Sequence, residues 1–152
     1  MSDSIVIIPT YNEIENIESI IRAVLSQHKH FHLLVIDDNS PDHTAHKVIN
    51  LQSEFEGRLF LEQRKEKSGL GTAYVHGFKW AIARAYDYIF EMDADFSHNP
   101  HDLEKLYNAC HFGDADLAVG SRYVTGVNVV NWPLNRVLMS YFASVYVRMI
   151  TG

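Results

Sequence analysis

Two carboxylates one residue apart, Asp93 and Asp95, stand in the run Glu91-Met92-Asp93-Ala94-Asp95-Phe96-Ser97-His98-Asn99-Pro100. The preceding Tyr88-Ile89-Phe90 reads as a short buried strand, so the acids fall where a strand runs into a loop. On an extended segment, residues i and i+2 point the same way. Two ionised carboxylates about 5 Å apart repel by roughly 3 kcal/mol at an effective dielectric of about 20. A cation between them removes that cost. Hard oxygens suit Mg²⁺ or Mn²⁺, which keep few protein ligands and complete their shell with substrate phosphates. The bland alternative is that the acids cap the next helix, but Asn99-Pro100 already supplies that cap. The pair is the expected functional centre.

Strands must deliver these groups. Ser4-Ile5-Val6-Ile7-Ile8 is a continuous apolar run ended by Pro9, as a buried parallel strand reads, with Thr10 to Glu13 as its loop. Ile14, Ile17, Ile20, Ile21, Val24 and Leu25 recur at helical spacing. Leu33-Leu34-Val35-Ile36 is a second strand running into Asp37-Asp38. Asn39 to Asp42 is turn chemistry, and Asp42 or Thr44 caps a helix carrying Ala45, Val48, Ile49 and Leu51. Arg58 to Glu62 is a third strand. After the charged loop Arg64 to Ser68, Gly69-Leu70-Gly71 opens a helix with Ala73, Phe78, Ala81, Ile82 and Ala85 on one face. Leu103, Leu106, Tyr107 and Cys110 mark another helix, and Leu117-Ala118-Val119 a fifth strand ending at Gly120-Ser121-Arg122-Tyr123. Alternating strands and helices argue for a mainly parallel, Rossmann-like α/β sheet, whose ligands bind outside the carboxyl ends of the strands. Pro9 to Glu13, Asp37-Asp38, Asp93 to Asp95 and Ser121-Arg122 all fall on that edge.

Composition sets the frame. At 152 residues, 47% of them hydrophobic, one domain with a real core is expected. Thirteen Lys plus Arg against nineteen Asp plus Glu gives a net charge of −6, which argues against a nucleic-acid backbone partner. The single cysteine, Cys110, offers no disulfide framework and reads as a buried thiol in a cytosolic chain, and Ser4 to Ile8 is only a strand-length apolar run followed by Pro9, so no signal peptide is expected. Leu134 to Ile150 is apolar and helical in pattern but interrupted by Arg136 and Arg148, too short and charged for a membrane span. Its face of Val137, Leu138, Tyr141, Phe142, Val145 and Met149 has nothing to cover before the chain stops. Either the segment after Trp132 docks on a partner or lipid, or the chain is the front of a longer protein.

Other groups have weaker signals. Asp38 holds the place where many α/β nucleotide sites use an acid on a ribose or base, although Asp37 or Asp38 could simply orient the following turn. Gly69-Leu70-Gly71-Thr72 lacks both phosphate-loop patterns, so it is read as a loop brought close to a ligand by small residues, or as a plain helix start. Lys65 and Lys67 are solvated charges unless one reaches a phosphate. Arg122 and Arg136, with Ser140 four residues on and hence on the same helical face, could hold a second phosphate. His28, His30 and His32 read as solvated loop residues, and His98 and His101 as helix-start residues beside the acidic loop. The paired acids also resemble fragments of haloacid-dehalogenase phosphatases and response-regulator receivers, but neither uses this strand order.

Five ordered motifs then resemble one family. Pro9-Thr10-Tyr11-Asn12-Glu13, Val35 to Asp42 (VIDDNSPD), Lys67 to Ala73 (KSGLGTA), Met92-Asp93-Ala94-Asp95 and Gly120-Ser121-Arg122-Tyr123 resemble family 2 glycosyltransferases, most of all the polyprenol (dolichyl) phosphate mannosyltransferases. The resemblance implies a GT-A fold and inverting, metal-dependent transfer from GDP-mannose to a polyprenyl phosphate. It implies that Pro9, Tyr11, Glu13, Ile36, Asp38, Lys67, Gly69 and Ala94 line the donor. Asp93 and Asp95 would hold Mg²⁺ or Mn²⁺ on its pyrophosphate. Arg122, Arg136 and Ser140 would bind phosphate on the acceptor side, with Asp93, Asp95 and Arg122 as the catalytic set. A peripheral place at the cytoplasmic face of a membrane follows from such an acceptor. His43 stands where the family usually has Gly, Val127 where a second Gly often follows GSRY, and Ser97 where some members have Gln. Members also continue well past this point, so residues 1–152 are expected to be a single, incomplete GT-A catalytic domain, weak or inactive in transfer alone. Another donor sugar, a hydroxyl acceptor, or a non-catalytic nucleotide-sugar-binding module are the alternatives.

Overall fold

The computed structural model describes residues 2–120 and 134–151. Two units are described separately, residues 1–118 and 119–152. In the first, β1 (Ser4–Thr10), β2 (His32–Asp37), β3 (Leu59–Gln63) and β4 (Tyr88–Glu91) form a parallel sheet in the order β3-β2-β1-β4. The helices are α1 (Ile17–Leu25), α2 (Thr44–Gln52), α3 (Leu70–Ile82) and α4 (Leu103–His111). The second unit contributes α5 (Leu134–Thr151), on which Leu138, Tyr141, Phe142 and Met149 are exposed. Among the described residues, no helix is long and apolar enough to cross a membrane.

The continuous apolar runs are explained by burial on both faces of the sheet. Val6, Ile8, Leu33 and Val35 pack with α1, α2 and α4, while Ile5, Ile7, Leu34 and Ile36 pack under α3. Strand side chains alternate between faces, so both layers stay apolar from Ile5 to Ile8 and from Leu33 to Ile36, and polar residues return at the carboxyl ends.

Several expectations are corrected. Leu117-Ala118-Val119 forms no strand; Leu117 and Val119 are 79% and 77% exposed. Three apolar residues satisfy a strand pattern but make no ladder without a partner edge. The α3 face is Ala73, Gly77 and Ala81, with Ile82 exposed and Ala85 beyond the helix at φ 56°, where the left-handed turn stops the helical repeat. Helix α1 starts at Ile17 rather than Ile14, because Glu13 to Asn16 form a separate turn. Cys110 is half-buried and free. His28 and His30 are exposed, but His32 is buried as the first residue of β2, its Nδ1 2.6 Å from the Tyr86 hydroxyl.

The end of the sheet away from the candidate site is tied by Asp3. Its carboxylate accepts from Lys29 Nζ at 2.6 Å, Ser4 Oγ at 2.6 Å and Tyr107 Oη at 3.0 Å. Burial raises the Asp3 pKa, but these donors outweigh it and bring it down to about 2 from 3.8. A depressed carboxyl stabilises the fold above its unfolded value and loses that contribution as pH falls toward the folded one. With side chains 31% and 25% exposed, solvent screening discounts the Asp3–Lys29 pair to about 1 kcal/mol. Asp3→Asn is therefore expected to cost about that much in urea unfolding at pH 7, with the gap to wild type about halved near pH 3. A pH-independent gap would contradict this.

Candidate active site

The carboxyl edge is built by loops that hold one another. After β1, Thr10 Oγ1 donates to Asp37 Oδ1 at 3.0 Å, and the backbone N–H groups of Asn12, Glu13 and Ile14 donate to Ser40 Oγ, Thr44 Oγ1 and Asp42 Oδ2 at 3.1, 3.0 and 3.0 Å. Asp37 is fully buried and also accepts from Ser40 N and Ser40 Oγ, so it is the member of the Asp37-Asp38 pair that orients the turn. Asp42 holds the start of α2 by accepting from Thr44 N and Thr44 Oγ1. Burial raises its pKa, while the donors Thr44 and Ile14 pull it net below the ordinary value.

His43 carries a cost in this turn. It precedes α2 at φ 69°, where an L side chain is disfavoured by about 1–2 kcal/mol and glycine is not. His43→Gly should raise the unfolding free energy by about 0.5–1 kcal/mol, seen as a higher denaturant midpoint, the glycine's larger unfolded-state entropy taking back the rest. A lower midpoint would show that the His43–His46 ring contact at 5.6 Å matters more.

Asp38 makes a residue visible that spacing alone did not mark. Its carboxylate takes both Arg64 Nε and Nη2, at 2.5 and 2.6 Å, while Arg64 Nη1 reaches Thr72 Oγ1 at 2.7 Å and Nη2 the Gly69 carbonyl at 3.3 Å. Arg64 thereby joins the end of β2 to the start of α3. Gly69 sits at φ 95°, a conformation glycine alone adopts freely, and its carbonyl also accepts from Thr72 Oγ1 and Ala73 N. Lys67 Nζ lies 3.9 Å from the centre of the Tyr11 ring, a cation–π contact that brings two expected donor-binding residues together across separate loops. Pro9 is half-buried in β1, opposite Ile36. The Ile36 side chain is fully buried under α3 and belongs to the core.

The acidic loop differs from its expected geometry. Strand pairing stops at Glu91, Ala94 and Asp95 lie in a turn, and Phe96 has φ 58°, so the alternation rule for strands does not orient Asp93 and Asp95. Side-chain contacts orient them instead. Asp93 Oδ1 accepts from Tyr74 Oη at 3.2 Å, and His98 Nδ1 accepts the Asp93 backbone N–H at 3.3 Å with its Nε2 3.9 Å from Asp93 Oδ2. His98 is thus a loop-folding residue rather than a helix-start one. Asp95 Oδ1 accepts from Ser97 N at 2.9 Å. Burial raises the Asp95 pKa, but the Ser97 bonds and the His98 charge bring it net below the ordinary carboxylate value. Ala94 between them is buried. Asn99 does cap, accepting from His101 N at 3.1 Å, and Pro100 opens a 3-10 turn before α4.

Among the described residues, no group of three or more His, Cys, Asp or Glu gathers to hold a metal. A half-buried and an exposed carboxylate at a loop still match the donor set of Mg²⁺ or Mn²⁺, which bind through one or two carboxylates with water and phosphate completing the shell. Arg122 lies outside the described residues. Arg136 and Ser140 lie on α5, and the Arg136 side chain is likewise outside the description.

The chain is similar to known proteins over most of its length. The family model "Glycosyl transferase family 2" matches residues 5–149. The chain is 45% identical over 149 residues to polyprenol monophosphomannose synthase of Mycolicibacterium smegmatis, covering 98% of this chain and 56% of that one. It is 41% identical to undecaprenyl-phosphate mannosyltransferase of Micrococcus luteus (96% and 59%) and 42% identical to dolichol-phosphate mannosyltransferase of Pyrococcus furiosus (89% and 37%). The chain therefore spans about half the length, or less, of these curated relatives. Among solved structures, S. aureus TarS residues 1–349 superposes with a TM-score of 0.58 at 26% identity, covering 74% of this chain and 32% of TarS. The same TarS fragment in complex with UDP-GlcNAc gives 0.51 at 27% identity, covering 62% and 27%. The parallel sheet with flanking helices is the GT-A fold. A chain with this sheet edge, matched by the family model over residues 5–149, belongs to glycosyl transferase family 2.

Proposed function

We propose that this chain is the donor-binding part of a GT-A catalytic domain, in an inverting glycosyltransferase that moves mannose from GDP-mannose to a polyprenyl phosphate. The observation that carries the reading is 45% identity across 98% of the chain to a polyprenol monophosphomannose synthase. The loops after β1, β2 and β4 and the start of α3 support it by meeting at one edge through the contacts above.

In this reading Tyr11 with Lys67, Glu13 and Asp38 form the nucleotide side of the site, and Arg64 holds Asp38 in place. Asp93 and Asp95 hold Mg²⁺ or Mn²⁺ against the donor pyrophosphate. The bound cation supplies charge neutralisation for the departing nucleoside diphosphate. An oxygen of the acceptor phosphate attacks the anomeric carbon from the face opposite the diphosphate, whose C–O bond breaks. The acceptor is already anionic, so no general base is required, and the residues act mainly by alignment. Arg122, Arg136 and Ser140 are assigned to phosphate groups near that centre, where cationic side chains offset repulsion between acceptor and donor. The exposed apolar side chains of α5 support a peripheral membrane contact after Trp132. A UDP-linked donor is the second reading, favoured by the UDP-GlcNAc complex of TarS.

Titration calorimetry with GDP and with UDP, each with and without Mn²⁺, separates these readings. Metal-dependent binding of GDP in preference to UDP is the expected result. A preference for UDP would keep the site and replace the sugar, and no binding of either nucleotide would overturn the donor-site assignment.

A further inference from the structure

Asp93 is held from outside its own loop by a side chain of α3. It lies beyond the last ladder pair of β4, and its side chain is 39% exposed, so no strand geometry fixes its rotamer. Two side chains from different elements lie against it, and one of them hydrogen-bonds the carboxylate. His98 comes from the same loop; its Nδ1 faces the Asp93 N–H at 3.3 Å, and its Nε2 lies 3.9 Å from Oδ2, beyond hydrogen-bond reach. Tyr74 comes from α3, nineteen residues earlier in the chain. Its ring is half-buried in the α3 side of the core and stacks near Phe78, with centroids 6.4 Å apart and planes at 25°. Its hydroxyl donates to Asp93 Oδ1 at 3.2 Å.

We infer that Tyr74 is a positioning residue for Asp93. It holds Oδ1 through a single donor hydrogen bond from a rigid helix and leaves the remaining lone pairs of the carboxylate for a ligand. The inference rests on the reading that Asp93 and Asp95 hold a divalent cation with the donor pyrophosphate. Partners that orient a metal-binding carboxylate are typically worth about 10–100-fold in metal affinity. Gly69, just before α3, and Thr72, in its first turn, are bound by Arg64, and Tyr74 follows two residues after Thr72. One helix start therefore reaches both the Asp38 side and the Asp93 side of the edge.

Tyr74→Phe keeps the ring and removes the donor. In calorimetry with GDP as the probe, the variant should bind about 10–100-fold more weakly than wild type in Mn²⁺ and within about 2-fold of wild type without it. Its thermal unfolding midpoint should stay close to that of wild type, showing that packing is intact. In an Asp93→Asn background the same substitution should add no more than about 2-fold, because the group it positions is already gone. Unchanged Mn²⁺-dependent binding in Tyr74→Phe, an equal loss without metal, or an undiminished loss in the Asp93→Asn background would each overturn the inference. If wild type shows no metal-dependent binding, or Asp93→Asn leaves it intact, the cation reading itself fails and takes this inference with it.

Discussion

Asp95→Asn is expected to abolish Mn²⁺-dependent GDP binding while leaving the protein folded. The side chain is exposed in the turn after β4, and its described hydrogen bond is the one Oδ1 accepts from Ser97 N. An amide oxygen can accept the same bond, so the turn survives the substitution, and an exposed site of this kind changes stability by about 0.5 kcal/mol or less. What disappears is the negative charge. The net downward shift of the Asp95 pKa, with burial overcome by Ser97 and His98, means that the carboxylate is ionised at neutral pH and available as a hard anionic ligand. Losing a group that stabilises charge in the transition state commonly costs about 10²–10³-fold in turnover. On the proposed function the variant should lose at least about 10²-fold in glycosyl transfer, and its GDP affinity in Mn²⁺ should fall to the metal-free value. An Asp95→Asn protein that still responds to Mn²⁺ would place the cation elsewhere.

Gly77→Val should be strongly destabilising. A Cβ at Gly77 would lie 2.7 Å from Ile7 Cγ2, 2.9 Å from Ile7 Cδ1 and 2.9 Å from Ile36 Cδ1. Both isoleucines are fully buried on the central strands β1 and β2, so neither can swing into solvent. Overpacking a core by this much costs about 1–3 kcal/mol, and the added methyls of valine put the substitution at the upper end. Gly77→Ala should cost about 1 kcal/mol, because alanine's helix preference of about 1 kcal/mol offsets part of the clash. Denaturant unfolding of both variants checks the order. If Gly77→Ala is stabilising, the helix has moved off the sheet, and the Tyr74–Asp93 hydrogen bond should be weakened with it.

Much of this molecule follows from local pattern. Ile5 to Ile8 and Leu33 to Ile36 announce buried parallel strands because both their faces are covered, which removes every polar residue until the strand ends. The motifs at those ends, and the acids after β4, then locate the edge on which a ligand binds. Asn99-Pro100 announces its helix start because capping is a transaction between neighbours. Pattern misleads where a segment needs a partner it does not contain. Leu117-Ala118-Val119 has strand composition and no ladder among the described residues, and the α3 periodicity runs on to Ala85 although the backbone has already turned left-handed there. The tight place reserved for Gly77 is invisible in a helix pattern, since it is set by Ile7 and Ile36 on other elements.

The same division runs through the site. The residue types and spacing of Asp93 and Asp95 are enough to suggest a cation, and those of Asp38 a nucleotide. What holds each carboxylate is tertiary: Arg64 meets Asp38 from twenty-six residues away, and Tyr74 meets Asp93 from nineteen. Hydrogen bonds act over about 3 Å, whereas sequence separation places no bound on where two loops meet once a sheet has closed. The chain's own order thus determines which chemistry is available at the edge, and the packing of α3 on the sheet decides which of those groups are held ready for it.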